Sequence, residues 1–146
     1  MKSENQVVLE FPSRSSNEAF ARVAAGFAMQ LDPTLEELGD IKTAVSEAVT
    51  NAIVHGYPEN FGRIVMKLRI REGNILEIVV KDWGVGIADV EQARKPMFTT
   101  GNDERSGMGF TIMESFMDKL TVRSVPGRGT TVSMRKKLAP RLKAAK

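Results

Sequence analysis

Ser46-Glu47-Ala48-Val49-Thr50-Asn51-Ala52-Ile53-Val54-His55-Gly56-Tyr57 is the stretch on which the fold turns. Glu47, Asn51 and His55 recur every fourth residue, which aligns their side chains along one ridge of a helix. Upstream, Leu38, Ile41, Val45, Ala48, Val49 and Ala52 mark a separate apolar face. Thr34 with Glu37 forms a capping box, and Pro33 suits the entry to a first turn. Gly56-Tyr57-Pro58 supplies the stop. A carboxylate and an amide four residues apart lie ~6 Å apart along the axis. Such a pair can hold a divalent cation through the amide oxygen while the carboxylate polarises a hydroxyl or water. A solvated polar flank explains the same spacing. On the wheel Asn51 falls roughly 120° from the apolar centre, and Glu47 further round. His55, near the helix end, also suits the dipole there.

Working outward, Val7, Leu9 and Phe11 alternate as in a short strand. Ser15 and Glu18 read as a capping box, with Phe20, Val23, Phe27 and Leu31 as the apolar stripe of a helix from Ser16 to Leu31. Arg22 lies off that stripe. After the central helix, Ile64, Met66, Leu68 and Ile70 alternate with Lys67, Arg69 and Arg71, a strand with one wet face. Glu72-Gly73-Asn74 turns it into a second strand, Ile75–Lys81. A short helix is expected over Asp89–Arg94, another through Phe110, Ile112, Met113, Phe116 and Met117, and strands over Leu120–Val125 and Thr130–Leu138. The order β-α-α-β-β-(α)-α-β-β predicts an α/β two-layer sandwich: a mixed, mainly antiparallel sheet with helices on one face.

Three loops carry candidate chemistry. Asp82-Trp83-Gly84-Val85-Gly86-Ile87 follows an apolar strand directly. Its glycines let the backbone approach a ligand, and a strand-end carboxylate can accept from an exocyclic amine such as that of adenine. Ser106-Gly107-Met108-Gly109-Phe110 opens a helix, where orphan N–H groups and the dipole suit phosphate. Met97 to Arg105 between them is polar and aperiodic, as in a lid. Gly129-Thr130-Thr131 adds a hydroxyl at a strand start. Each string alone also reads as ordinary turn chemistry. A dinucleotide fingerprint and a phosphate-binding G-x-x-x-x-G-K-[ST] loop are both missing.

With 146 residues, 42% hydrophobic and 27% charged, the chain reads as one globular domain over 1–138 with a basic, flexible tail over 139–146. It has no cysteine, hence no disulfide or thiolate metal site. No apolar run reaches the roughly 20 residues of a membrane span, and the first residues lack a signal-peptide core. A cytoplasmic location is expected. The net charge of +3 owes much to Arg135, Lys136, Lys137, Arg141, Lys143 and Lys146. No RNA-binding aromatic signature accompanies them, so neither direct nucleic-acid binding nor membrane binding is expected.

The order of the motifs adds what no single one carries. Glu-x-x-x-Asn on a helix, then D-x-G-x-G, then a lid with S-G-x-G, then G-T-T resembles the GHKL ATPases, a superfamily that includes histidine kinases, Hsp90, DNA gyrase and MutL. Within it, the stretch from Ser46 to Tyr57 is similar to the anti-sigma serine kinases, the sporulation anti-sigma-F factors among them. So are Phe98-Thr99-Thr100 and Arg105 through Glu114. The similarity runs from about Val7 to Lys137. It implies the Bergerat ATP-binding fold, ATP or ADP with Mg²⁺, and a homodimer. It further implies sequestration of a sigma factor from RNA polymerase and phosphorylation of a serine on an anti-anti-sigma factor. By resemblance Glu47 is the general base and Asn51 the Mg²⁺ ligand. Asp82 reads the adenine amine, with Gly84 and Gly86 letting the base lie close. Thr99, Ser106, Gly107, Met108 and Gly109 surround the phosphates, and Thr130 lies near the base. Two positions depart from the family pattern: Trp83 is bulky where a polar residue is usual, and Thr100-Gly101-Asn102 lacks the lysine expected after the threonines, leaving Arg105 as the cationic contact. A sequestration module without catalysis, or the anti-sigma kinase of a general stress response, would share most of these motifs. A complete histidine kinase needs an acceptor histidine on a separate hairpin, and His55 is the sole histidine.

Overall fold

A computed structural model describes residues 3–96 and 104–139, with the backbone alone for 104–107. Five strands, β1 (Ser3–Pro12), β2 (Arg63–Arg71), β3 (Ile75–Asp82), β4 (Lys119–Val125) and β5 (Gly129–Lys137), form one sheet in the order β1-β2-β3-β5-β4. Among the described residues every pairing is antiparallel, so the expected two-layer sandwich has the mainly antiparallel sheet with no parallel pair in the described part. Alternation decides the faces. Ile64, Met66, Leu68, Leu76, Ile78, Val80, Val132 and Met134 point inward and are buried. They pack under α2 (Leu35–Asn51) and α4 (Glu104–Phe116), whose Ile41, Val45, Val49 and Met113 complete the core. Burying each such side chain contributes roughly 1.5–3 kcal/mol.

The central helix forms as its caps dictate. Thr34 Oγ1 accepts from Glu37 N (3.0 Å), and Glu37 Oε1 accepts from Thr34 N (2.8 Å), closing the capping box. The helix continues past Asn51 as a single π-turn, Ala52–Gly56, before Tyr57 leaves helical geometry. Gly73 and Asn74, both at positive φ (89° and 60°), turn β2 into β3.

The first helix departs from expectation in three ways. It is α-helical only as α1 (Ser16–Ala24) and tightens into a 3-10 segment, Ala25–Leu31. Gly26 lies at that change, where a weak helix former concedes the α geometry. Ser15 stays in helical dihedrals (φ −57°, ψ −31°) and makes no side-chain cap. Glu18 instead accepts from Ser46 Oγ (2.9 Å) and pairs with Arg22 (3.3 Å). The buried face also matches the large-residue stripe only in part: Phe27 and Leu31 pack against the core, Phe20 and Val23 do not. Ala21, Ala25 and Ala28 are fully buried, while Phe20 and Val23 remain 54% and 71% exposed. Small side chains allow the close approach to α2, with Phe20 and Val23 left on the outer side.

Further on, Asp89 caps the short α3 (Val90–Arg94) by accepting from Gln92 N (3.0 Å). The described part of α4 is already helical at Glu104, two residues before the expected opening at Ser106, so Gly107 and Gly109 lie within the helix. On the outer face of the sheet Glu77 accepts from Arg69 (3.3 Å), Arg71 (3.1 Å) and Arg135 (3.0 Å). Burial works to raise the Glu77 carboxyl, but the bonds and charges of Arg71 and Arg135 outweigh it and hold it below the usual glutamate value.

Candidate nucleotide site

Asp82 ends β3, the middle strand of the sheet, and is 5% exposed. It faces Ile64 of β2 on one side and Thr130 of β5 on the other. Its Oδ1 accepts from Gly84 N (2.9 Å) and Thr130 N (3.2 Å), and Oδ2 takes part in neither bond. Burial raises the carboxyl above its ordinary value, opposed by those two backbone donors. The group is therefore fixed in place with one oxygen outside its backbone bonds.

The loop after Asp82 is drawn onto the end of the central helix. A Cβ at Gly84 would overlap the Gly56 carbonyl, so only glycine permits this approach. Val85 N donates to that same carbonyl (2.9 Å). Gly86 sits at φ 77°, and Gly127 N donates back to Val85 O (2.8 Å), tying the loop to the β4–β5 turn. Ser124 adds a second tie: its Oγ accepts from Ile87 N (2.7 Å) and lies 2.8 Å from Thr130 Oγ1.

The other close approach joins α2 to α4. A Cβ at Gly109 would stand 3.0 Å from Asn51 Nδ2 and 3.1 Å from Oδ1. The amide tip of Asn51 therefore lies against the start of α4, with Glu47 half-buried one turn earlier on the same ridge. Met108 is exposed beside it. Two approaches are thus built along this helix: Asn51 and Gly109 meet at the end of α2, while Asp82 and Gly84 meet Gly56 at the end of the π-turn, with Thr130 bonded to Asp82 and Gly86 against the β4–β5 turn. Thr99 lies outside the described residues, as do the side chains of Arg105 and Ser106; Gly107 contributes backbone to α4.

Trp83 faces away from this cluster. Its ring takes the Arg63 guanidinium at 3.9 Å and the Lys81 ammonium at 5.0 Å, both from the outer face of the sheet. Its bulk therefore does not obstruct the glycine loop. Tyr57 and Ser124, by contrast, carry no site role in the sequence, where Tyr57 belongs only to the helix stop. A tyrosine before a proline and a serine in a strand carry no spacing that marks them, since both act through backbone groups distant in sequence.

Among the described residues no group of three His, Cys, Asp or Glu gathers. A divalent ion carried by phosphates does not need one. Mg²⁺ keeps waters and phosphate oxygens and takes only one or two protein oxygens, which the Asn51 amide suits.

The histidine kinase-like ATPase domain family matches residues 13–136. An anti-sigma F factor of Thermoanaerobacter sp. is 56% identical over 138 residues, covering 93% of this chain and 96% of its own length. That of Geobacillus kaustophilus is 55% identical, covering 92% and 94%. Among solved structures, a Mycobacterium tuberculosis protein with RsbU and RsbW domains superposes with a TM-score of 0.66 at 17% identity, covering 96% of this chain and 35% of that one. The mycobacterial sensor histidine kinase MprB gives 0.56 at 16% identity, covering 92% and 100%. These two structures share the fold. A nucleotide-binding ATPase fold and near full-length identity above one half lead to one conclusion: the chain belongs to the histidine kinase-like ATPase family, among the anti-sigma F factors.

Proposed function

We propose that this chain is an anti-sigma factor that sequesters a sporulation sigma factor and, as an Mg·ATP-dependent protein serine kinase, phosphorylates the anti-anti-sigma factor that opposes it. The observation that carries the reading is the pair of close approaches along α2 and its π-turn: Asp82, against Gly56, holds Oδ2 outside its backbone bonds, and Asn51 meets Gly109 of α4. The adenine amine would donate to Asp82, beside Gly84, Gly86 and Thr130. The phosphates would lie at α4, near Gly107, Met108 and Gly109, and the resemblance would add Thr99, Arg105 and Ser106 as their further contacts. Asn51 would take Mg²⁺ with the phosphates. Glu47 would accept the serine proton as that oxygen bonds to the γ-phosphorus. The bond to the β-phosphate oxygen then breaks and ADP leaves. Binding of the nucleotide and of the partner rests on residues other than Glu47, so both functions fit one domain.

The domain spans 1–138, a reading supported by Leu138, which is fully buried and donates its N–H to Asn74 O (3.0 Å). Residues 139–146 are its basic tail. No helix among the described residues is long and apolar enough to cross a membrane, and the proposed partners place the chain in the cytoplasm, without a nucleic-acid or membrane contact of its own. The test is incubation with γ-labelled ATP and the lysate of the source cell. The expected result is label on a serine of one small protein. Label on a histidine, or none, overturns the kinase reading.

The active species is a symmetric homodimer. Strand β1 is an open edge of ten residues, and an uncovered edge of that length invites pairing. Val8 on that strand and Phe20 and Val23 on the following helix are exposed, and two-fold pairing is the commonest assembly. Sedimentation equilibrium should return about twice the 16.1 kDa chain mass at micromolar concentration. A monomer across that range, with and without nucleotide, overturns it.

A further inference from the structure

The β2–β3 ladder stops at the pair Ile64 and Asp82, although Arg63 continues β2 by one residue. In that register Arg63 faces Trp83, whose N–H and the Arg63 carbonyl would form the next rung. They do not meet. The Tyr57 hydroxyl lies between them, accepting from Trp83 N (2.7 Å) and donating to Arg63 O (2.6 Å). A phenol therefore stands where a ladder bond would otherwise close. Its ring is held in place by Gly62, where any Cβ would overlap the ring edge.

Two consequences follow for the loop. The hydroxyl occupies the place of the next rung, and β3 ends at Asp82 with Trp83 the first residue of the loop. The exit then brings Gly84 onto the Gly56 carbonyl, the residue immediately before Tyr57. Gly56 in turn adjoins the carboxylate: a Cβ there would stand 3.0 Å from Asp82 Oδ2. One short segment, Gly56-Tyr57, thus contacts the carboxylate, the first loop amide and the loop glycine.

We propose that Tyr57 is a positioning residue for base recognition: its hydroxyl replaces a ladder rung and so sets where Asp82 and the glycine loop meet a purine. The inference rests on the reading of Asp82 as the acceptor for the adenine amine. Burial first, then the Asp82 charge, raise the phenol above its ordinary value against the Trp83 N–H and Arg63, so it keeps the proton it donates.

The test compares ATP with inosine triphosphate, which carries a carbonyl where adenine has its amine, by calorimetric titration of the full chain. Tyr57→Phe keeps the ring against Gly62 and removes the hydroxyl. The wild type should prefer ATP. The variant should lose on the order of tenfold in ATP affinity, the upper scale of one hydrogen bond, and about twofold or less for inosine triphosphate, so that discrimination collapses. A folded variant with unchanged discrimination overturns the positioning role and leaves the Asp82 reading standing. A wild type that binds both equally overturns the Asp82 reading and this inference with it. Amide exchange gives a readout free of any variant: the Trp83 N–H should be protected before nucleotide is added, and rapid exchange there overturns the proposal.

Discussion

Glu47→Ala should lower phosphoryl transfer to the serine substrate by about 10²–10⁴-fold, the usual contribution of a positioned general base. A serine hydroxyl is a weak nucleophile at neutral pH, and an acceptor for its proton matters most as the new bond forms. The glycine approaches at Gly84 and Gly109 and the Asp82 bonds do not involve that carboxylate. Nucleotide affinity should therefore stay within about threefold of wild type, a small change beside the catalytic loss. Alanine is the best helix former, so α2 should persist. The measurement is a phosphotransfer assay beside a sigma-factor pull-down from one preparation. Transfer that survives within threefold would remove Glu47 from the chemistry and return the ridge to a solvated flank. Loss of nucleotide binding as well would make Glu47 a structural residue.

How far the sequence disclosed all this depends on the range over which each residue acts. Thr34 and Glu37 act within one turn, and the capping box they predict is formed. Ser15 and Glu18 have the same spacing, yet Ser46, 28 residues away, competes for the Glu18 carboxylate. Local chemistry could not see that competitor. The apolar stripe of the first helix holds at Phe27 and Leu31 but not at Phe20 and Val23, for a related reason. Periodicity ranks residues by hydrophobicity, whereas packing against α2 selected the small Ala21, Ala25 and Ala28. At the site, Asp82 and its glycines were legible because a strand end and a sharp turn are written in adjacent residues. The wheel alone left Asn51 on a polar flank; only α4, folding back at Gly109, gives that flank a neighbour. Tyr57 was hidden most completely, since its hydroxyl serves two backbone groups and its identity matters only once two strands are paired.

Asp82→Asn separates affinity from stability: affinity should fall while stability should not. The amide can still present Oδ1 to Gly84 N and Thr130 N, so the loop geometry survives. At the second position an NH₂ replaces an acceptor and meets the adenine amine donor to donor. ATP affinity should fall by about 1.5–3 kcal/mol, the worth of a hydrogen bond to a charged group, or about 10- to 150-fold. Burial holds the wild-type carboxyl above its ordinary value, and the sign of the pH effect follows. Between the unfolded and the raised folded value, the native state binds more protons than the unfolded chain, so stability declines as pH rises through that window. At neutral pH the buried charge is a full penalty that asparagine does not carry, and the variant should melt no lower than wild type. As pH falls through the raised value, wild-type ATP affinity should drop toward that of the variant, whose own affinity has no such step. Titration with ATP from neutral to acid pH, beside thermal melts of both proteins, tests each part. Unchanged affinity in a folded Asp82→Asn protein would take Asp82 out of the base site, and a lower melting temperature at neutral pH would mean that the carboxylate stabilises the fold.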